Sequence, residues 1–306
     1  MPSLRLQTLL NAGEFVVSAE LTPPRHYDAS NLLMAARKMA EFVDVVQIND
    51  NLLSQARLSN LVVAHKLAEI GLEPVIQFTL RHKNRIALQS DLLGMAALNL
   101  RNIMVLGGYP CTIGTDPQAK DATDIGSVEA IACLHALTTR GELFNGERIE
   151  PAPDFYVGTI DFPCAQPEDL AKSMERLTAK IDSGARYIQV QAVFDLAPLQ
   201  AWMAEVRARG LHQRAHFIAA IFPFNSVKRL EFLRTIPGLM VPPLLIQRIS
   251  DSADQERASL ETMLDLIAGV RAIVGVHGLH LRSIGSEDWV PRLVAAAGLR
   301  TATGVN

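Results

Sequence analysis

Short apolar runs rich in Val and Ile alternate along the chain with longer segments in which apolar residues recur at helical spacing. The runs lie too far apart for hairpins and instead follow the rhythm of repeated βα units. Strands are predicted at about Phe15–Glu20, Val43–Ile48, Pro74–Thr79, Asn102–Leu106, Phe155–Ile160, Tyr187–Gln191, His216–Ile221 and Leu279–Arg282. Between them the pattern predicts helices at about Ala29–Glu41, Ala56–Ile70, Arg85–Leu98, Val128–Leu137, Pro167–Ser183, Pro198–Arg209 and Ser226–Arg234, with a last one near Glu287–Ala297.

Several strands, such as VDVVQI and NIMVLG, are largely apolar on both alternations, as parallel strands are when helices cover them outside and side chains fill them inside. Eight such units predict an α/β protein of the (β/α)8 TIM-barrel class. An open doubly wound sheet is the rival, but its GxGxxG fingerprint is missing after the first strand, which runs into ELTPPR. Residues 1–306 are therefore expected to form one barrel domain. An enlarged helical segment at about 242–275 precedes the last strand, with Leu260, Met263, Leu264, Ile267 and Val270 on one helical face.

The length of 306 residues and 49% hydrophobic content supply a large core and exclude disorder. With 29 Lys+Arg against 32 Asp+Glu, the formal charge of -3 gives no electrostatic case for nucleic acid, and a small-molecule partner fits better. Cys111, Cys133 and Cys164 form no CxxC or Cys/His cluster, so neither a disulfide framework nor a metal site is expected. No signal-peptide core and no run approaching a membrane span is evident, which makes the cytoplasm the expected location and a membrane partner unexpected. HExxH, GxSxG and Walker A patterns are all missing, which removes most support for hydrolase and NTPase readings.

In a βα barrel, chemistry collects where strands end at their carboxyl side. Glu20 ends the first strand, where apolar neighbours would raise its pKa and suit it to donate a proton; an ion pair with a cation such as Arg25 is the alternative. Gln47, Asn49, Asp50 and Asn51 end the second, suited to a polar ring edge or simply to a turn. The third runs into Arg81, His82, Lys83 and Arg85 at a helix start, where a bound anion would relieve the unfavourable dipole, or where the turn is merely solvated. Gly107 and Gly108 follow the fourth strand and would allow close approach of a planar ligand or make a tight turn. Gln189 and Gln191 share one face of the sixth strand, and inward amides need partners, from a heterocyclic ligand or from the protein itself.

Taken in order, SAELTPPR, QFTLRHKNRIALQSDLLGMAALNLRNIMVLGGYP and KIDSGARYIQVQAVFD make the chain resemble the methylenetetrahydrofolate reductase family over nearly its whole length. The resemblance implies a (β/α)8 barrel that binds FAD and uses NAD(P)H to reduce 5,10-methylenetetrahydrofolate to 5-methyltetrahydrofolate in one-carbon metabolism and methionine biosynthesis. The length matches that family's catalytic barrel, and the family implies a homo-oligomer. The resemblance implies Glu20 as the acid that protonates the leaving nitrogen, Gln191 as a folate contact, and Gln77, Thr79 and Lys180 at the flavin. With the strand-end reading, Asn49 and Phe224 are further expected substrate contacts, and Arg81, Gly108 and Tyr109 further expected flavin contacts.

The chain departs from the family pattern around the cofactor. Tyr109 stands where the family has an Asp; Leu80, Arg81 and His82 replace Cys-Arg-Asp; Gln166 replaces a His; and Val227 replaces an aromatic, with Phe224 as its nearby substitute. A phenol cannot supply a fixed negative charge at neutral pH. Two alternatives to flavin relay thus stay open: direct hydride transfer from NAD(P)H, and a folate- or flavin-binding barrel without reductase activity.

Overall fold

The computed structural model describes residues 5–300 apart from positions 117 and 165. In chain order its strands are β1 (Val16–Leu21), β2 (Val45–Ile48), β3 (Pro74–Thr79), β4 (Asn102–Leu106), β5 (Tyr156–Asp161), β6 (Tyr187–Val190), β7 (His216–Ile221) and β8 (Val276–Leu281). Every adjacent pair is parallel, and β8 returns to β1 with Val16 opposite Gly278, so the sheet closes into an eight-stranded barrel. This is the (β/α)8 TIM barrel that the alternating pattern predicts.

The helices are α1 (Arg5–Asn11), α2 (Ser30–Met39), α3 (Asn60–Glu69), α4 (Arg85–Ala97), α5 (Ser127–Arg140), α6 (Pro167–Asp182), α7 (Leu196–Ala208), α8 (Val227–Arg234), α9 (Pro243–Ser250), α10 (Gln255–Ala272) and α11 (Trp289–Ala296). Their apolar faces meet the outward residues of the strands in one continuous core that includes Val17, Ile76, Val105, Ile188 and Leu279. The enlarged segment before β8 is α9 followed by α10, divided where the Asp254 side chain accepts a hydrogen bond from Arg257 N and starts a new helix.

A second cluster fills the barrel from below. Leu6 and Leu10 of α1 pack against Val16, Val45, Val75, Met104, Tyr156, Tyr187 and Ile218, the first inward residues of the strands. Helix α1 therefore plugs the amino-terminal end. Two buried residues four apart are too short a pattern for the sequence to announce this helix. The plugged end leaves the carboxyl-terminal mouth as the open one.

Helix α3 begins four residues later than the expected Ala56. Arg57 N is held by the Asn51 side chain and the Arg57 guanidinium by Pro23 O, so residues just before α3 are spent on the loop at the barrel mouth.

Among the described residues, no helix is long and apolar enough to cross a membrane, and no group of three or more His, Cys, Asp or Glu could hold a metal ion. Cys111, Cys133 and Cys164 are free thiols.

Candidate active site

Alternation along the strands sends every second side chain into the barrel, and the polar ones meet near its open end. On β1, Ser18 and Glu20 face inward; on β8, His280 does, with Arg282 continuing the same face just past the strand. Ser18 Oγ lies 2.9 Å from His280 Nδ1, and the other ring nitrogen, Nε2, lies 3.6 Å from Glu20 Oε2. Glu20 Oε1 lies 3.5 Å from Arg282 Nε, and Arg282 NH1 donates to Gln191 Oε1 at 2.8 Å. The Arg282 guanidinium also sits over the Phe222 ring, 4.7 Å from its centroid. A continuous polar chain thus runs Ser18, His280, Glu20, Arg282, Gln191.

Glu20 and His280 are completely buried, yet both Glu20 carboxylate oxygens, His280 Nε2 and Arg282 Nε lack well-formed hydrogen bonds. These four atoms face one another in two contacts just too long for hydrogen bonds, 3.6 Å from Glu20 to His280 and 3.5 Å from Glu20 to Arg282, a costly arrangement for buried polar groups. Burial pushes the Glu20 carboxyl up, but the Arg282 guanidinium and then the His280 imidazole outweigh it, holding the group below the usual glutamate range. This reverses the expected direction: the neighbours of Glu20 are not simply apolar. It also corrects the expected ion-pair partner, which is Arg282 from the far end of the chain, whereas Arg25 is exposed. Burial lowers the His280 pKa, against the pull of Glu20.

Beside this chain a cavity of about 370 Å³ opens to solvent, lined by Gln77, Thr79, Gly107, Gly108, Tyr109, Gln189, Gln191 and Arg282 among others. Its floor is a ladder of amides in which Gln47 donates to Gln189 Oε1 and lies 3.5 Å from Gln77 Nε2. Gly108 has φ +86, and a Cβ there would collide with Thr79 Cγ2, so the turn after β4 folds over β3 only because this residue is glycine. Tyr109 reaches across the mouth, its hydroxyl donating to Pro237 O at 3.4 Å, and burial raises its pKa.

The residues anticipated for the site separate into two groups. Gln77, Thr79, Gly108, Tyr109 and Gln191 line the cavity together, and Glu20 lies just beneath through Arg282. Asn49 is fully buried, its amide donating to Thr22 Oγ1 at 2.7 Å, and does not reach the lining. Phe224 is also buried, 6.4 Å from the Phe194 ring centroid in the outer core, so it does not stand in at the cavity for the missing aromatic. Lys180 on α6 donates to Ile160 O at 2.7 Å and to Asp161 Oδ2 at 3.1 Å, behind the β5 wall. Gln166 is exposed at the start of α6, and Val227 opens α8 with its N–H on Gln255 Oε1.

The basic turn after β3 is also resolved differently from a ligand-relieved anion site. Arg81 pairs with Asp121 at 2.8 Å, Lys83 with Asp50 at 3.1 Å and Asp91 at 2.9 Å, and Arg85 with Glu129. The helix start itself is occupied, with the Asn84 side chain capping Ala87 N and Asp124 accepting from Arg85 N. The protein's own carboxylates supply the negative charge.

That donor set bears on the cofactor the resemblance implies. The amide ladder, the glycine turn and Tyr109 fit the edge and face of a flat heteroaromatic ring. The diphosphate of FAD needs uncommitted cations or helix N–H groups. Of the cations lining or flanking the cavity, Arg81, Lys83 and Arg85 are paired with the protein's own carboxylates, whereas Arg57 at the same mouth donates only to the neutral oxygens of Pro23 and Gln55; the lining fits a flat ring, and Arg57 is the cation nearest to hand for a phosphate.

His280 and Arg282 were not singled out from sequence. The alternation HxR in VHGLHLR carries the same information that marked Gln189 and Gln191, but their partner Glu20 lies more than 250 positions away and only barrel closure joins them.

A closed (β/α)8 barrel whose open mouth gathers a buried carboxylate, an imidazole, a guanidinium and several amides beside a cavity is a ligand-binding barrel of the enzyme type. Residues 5–298 match the family model for methylenetetrahydrofolate reductase, and the chain belongs to that family.

The chain is 23% identical over 151 residues to methylenetetrahydrofolate reductase 1 of Schizosaccharomyces pombe, covering 48% of this chain and 25% of that protein. It is 19% identical over 309 residues to the probable methylenetetrahydrofolate reductase (NADPH) of Caenorhabditis elegans, covering 96% of this chain and 44% of that protein. It thus spans less than half the length of these curated relatives. Among solved structures, an uncharacterized Clostridium thermocellum protein that binds two copies of 5-methyl-5,6,7,8-tetrahydrofolic acid shares the fold, with a TM-score of 0.62 at 15% identity over 97% of this chain and 100% of that one. An oxaloacetate acetylhydrolase shares it more distantly, with a TM-score of 0.51 at 12% identity over 97% and 84%.

Proposed function

We propose that this chain reduces 5,10-methylenetetrahydrofolate to 5-methyltetrahydrofolate with NAD(P)H as donor. The observation that carries the reading is the buried Glu20, His280 and Arg282 group with its unsatisfied polar atoms, set under an amide-lined cavity at the mouth of a barrel of this family. The solved neighbour that binds 5-methyltetrahydrofolic acid supports a folate ligand for a barrel of this shape.

Reduction needs the five-membered ring of the substrate to open to a cationic iminium, a proton on the leaving nitrogen and a hydride on the methylene carbon. Gln191 and its neighbours Gln189 and Gln77 offer donors and acceptors to the pterin edge. Glu20 is ionised in the free protein, so its first contribution is negative charge beneath the developing iminium in a site shielded from water. Folate that takes over the hydrogen bonds of Arg282 weakens the hold of that guanidinium on Glu20. The carboxyl then rises toward the range in which it, with His280 as second proton site, exchanges a proton with the leaving nitrogen.

On this reading hydride passes directly from the nicotinamide, a route favoured by Tyr109, which stands where the resemblance places an Asp beside the flavin. A second reading keeps the FAD relay of the family, favoured by Gln77, Thr79 and Gly108 lining the cavity where the resemblance places the flavin ring. Those residues would hold the flavin ring, whose chemistry there would be two-electron transfer between NAD(P)H and the folate. The absorbance spectrum of the purified protein, before and after incubation with FAD and removal of free ligand, tests them apart. A colourless protein that turns over supports direct transfer; flavin bands near equimolar occupancy that are needed for turnover support the relay. NAD(P)H-independent folate binding with no turnover from either donor would leave a binding barrel only.

A further inference from the structure

At the amino-terminal end of the barrel, opposite the mouth, α1 is moored unevenly. On the β2 to β4 side the polar contacts are made within the protein. Glu73 accepts from Arg5 N at 2.6 Å, Leu6 N at 3.1 Å and Asn102 Nδ2 at 2.7 Å, and Asp44 accepts from the Arg5 and Arg300 guanidinium groups at 3.0 and 2.7 Å. Among the described residues, the side-chain hydrogen bond from α1 to the β5 to β7 side is a long one, 3.4 Å between Asn11 Oδ1 and His216 Nε2. A hollow of about 400 Å³ opens on that side. It is bordered by Thr138 of α5, Asp154 and Tyr156 at the start of β5, Arg186 before β6, and Arg214 and His216 at the start of β7.

Three of these residues carry a buried polar atom without a hydrogen-bond partner: Thr138 Oγ1, the Tyr156 hydroxyl and His216 Nδ1. Tyr156 is 4% exposed, and its ring stacks on Tyr187 with 5.1 Å between centroids. The Tyr187 hydroxyl donates to Ile103 O at 2.9 Å, so of two stacked phenols one is satisfied by a strand and the other, on the border of the hollow, is not. A buried hydroxyl left without a partner is costly, and phenylalanine would fill the same space without that cost.

Cations stand beside these atoms. Arg186 is exposed and, among the described residues, forms no ion pair; its charge opposes the burial that pushes the Tyr156 phenol up. Arg214 is held by Asp182 with both side chains about half exposed, a pair that contributes little and exchanges readily. Asp154, the carboxylate on the rim, is exposed at the β5 edge, two strands away from Arg214. His216 donates from Nδ1 in the tautomer left when the Asn11 amide is turned over to donate to Nε2. Hydroxyls from α5 and β5, an imidazole from β7 and guanidinium groups before β6 and β7 thus come from different elements, which suits the several acceptor oxygens of a phosphate better than a planar carboxylate.

We infer that this hollow binds the phosphate group of a small phosphomonoester, with Arg186 as its principal cation and the Tyr156 and Thr138 hydroxyls as donors. A ligand there would tie α1 to the side of the barrel on which the protein itself holds it weakly. The site lies at the other end of the strands from the mouth and does not depend on the folate chemistry proposed there.

The test titrates inorganic phosphate, and acetate in parallel, into the full chain at constant ionic strength, with binding read by calorimetry. The variants are Arg186→Gln, Tyr156→Phe and, at the mouth, Arg57→Gln. Arg186 is exposed and the Tyr156 hydroxyl makes no hydrogen bond, so neither change threatens folding, which thermal unfolding checks. Saturable phosphate binding is expected in the wild type, about tenfold weaker in Arg186→Gln, several-fold weaker in Tyr156→Phe and unchanged in Arg57→Gln. No saturable binding, or binding equally strong in Arg186→Gln, would overturn the site and leave the three buried atoms to water. Binding lost in Arg57→Gln and kept in Arg186→Gln would place the phosphate at the mouth, with the same consequence. Acetate bound more tightly than phosphate would overturn the assignment of a phosphate ligand.

Discussion

Replacing Arg282 with methionine removes the guanidinium from a fully buried carboxylate. At 3.5 Å and an effective dielectric constant of about 20, the attraction lost is roughly 5 kcal/mol, and experience with broken buried pairs gives a net loss of about 3–5 kcal/mol. The loss should depend on pH with a definite sign. In the wild type the Glu20 carboxyl lies below its unfolded value of about 4.3, so its contribution is present above that pH and is lost as pH falls through the folded value. In the variant, burial acts without the guanidinium, and His280 is freed from the repulsion that helps to lower it, so the Glu20–His280 pair binds a proton at higher pH than before. Its contribution is then full in acid and is lost as pH rises. The stability difference between wild type and Arg282→Met should therefore widen from about 1–2 kcal/mol near pH 4.5 to about 3–5 kcal/mol near pH 7.5, each tenfold change in proton affinity being about 1.4 kcal/mol. Urea unfolding across that range measures it. With Glu20→Gln in the background the pH dependence should largely vanish. A constant difference between pH 4.5 and 7.5 would refute the coupling of the two groups.

Three further outcomes follow from the same geometry. Glu20→Gln should lower folate reduction by about 10²-fold or more with the fold intact by circular dichroism, and near-normal turnover would remove Glu20 from the chemistry. Gly108→Ala, strained at φ +86 and colliding with Thr79, should cost more than about 1 kcal/mol in unfolding and weaken folate binding, read by thermal melting and titration. Lys180→Met should lower stability by about 1–3 kcal/mol because it abandons Ile160 O and leaves the buried Asp161 carboxylate to Arg176 alone among cations, yet leave ligand affinity within about twofold; a large loss of affinity would show that Lys180 reaches ligand after all.

Most of the architecture was legible in the chain because a barrel of this kind repeats one local pattern. β3, β4 and β7 coincide with the apolar runs that predicted them, and the segment before β8 showed as one enlarged amphipathic stretch, which the structure divides into α9 and α10. The site was legible where one strand carried the whole signal, as with Gln189 and Gln191. It was hidden where partners come from distant strands. Nothing near Glu20 announces that β8 will bring His280 and Arg282 against it, and that juxtaposition reverses the direction of its pKa. The cations after β3 misled for the same reason, since their carboxylate partners Asp121 and Glu129 arrive from beyond the next strand. Phe224 illustrates a third limit: its apolar neighbours, among them Phe194, come from other elements, and they draw it into the outer core.

Hydride delivery to a folate methylene carbon in this cavity is tested by turnover of 5,10-methylenetetrahydrofolate with NAD(P)H carrying deuterium at the transferred C4 position, followed by mass spectrometry of the folate product. Direct transfer should give 5-methyltetrahydrofolate with one deuterium retained in its methyl group. Product without the label, its hydrogen drawn from solvent, would contradict direct delivery and indicate a flavin relay, and no 5-methyltetrahydrofolate with either donor would contradict the proposed function itself.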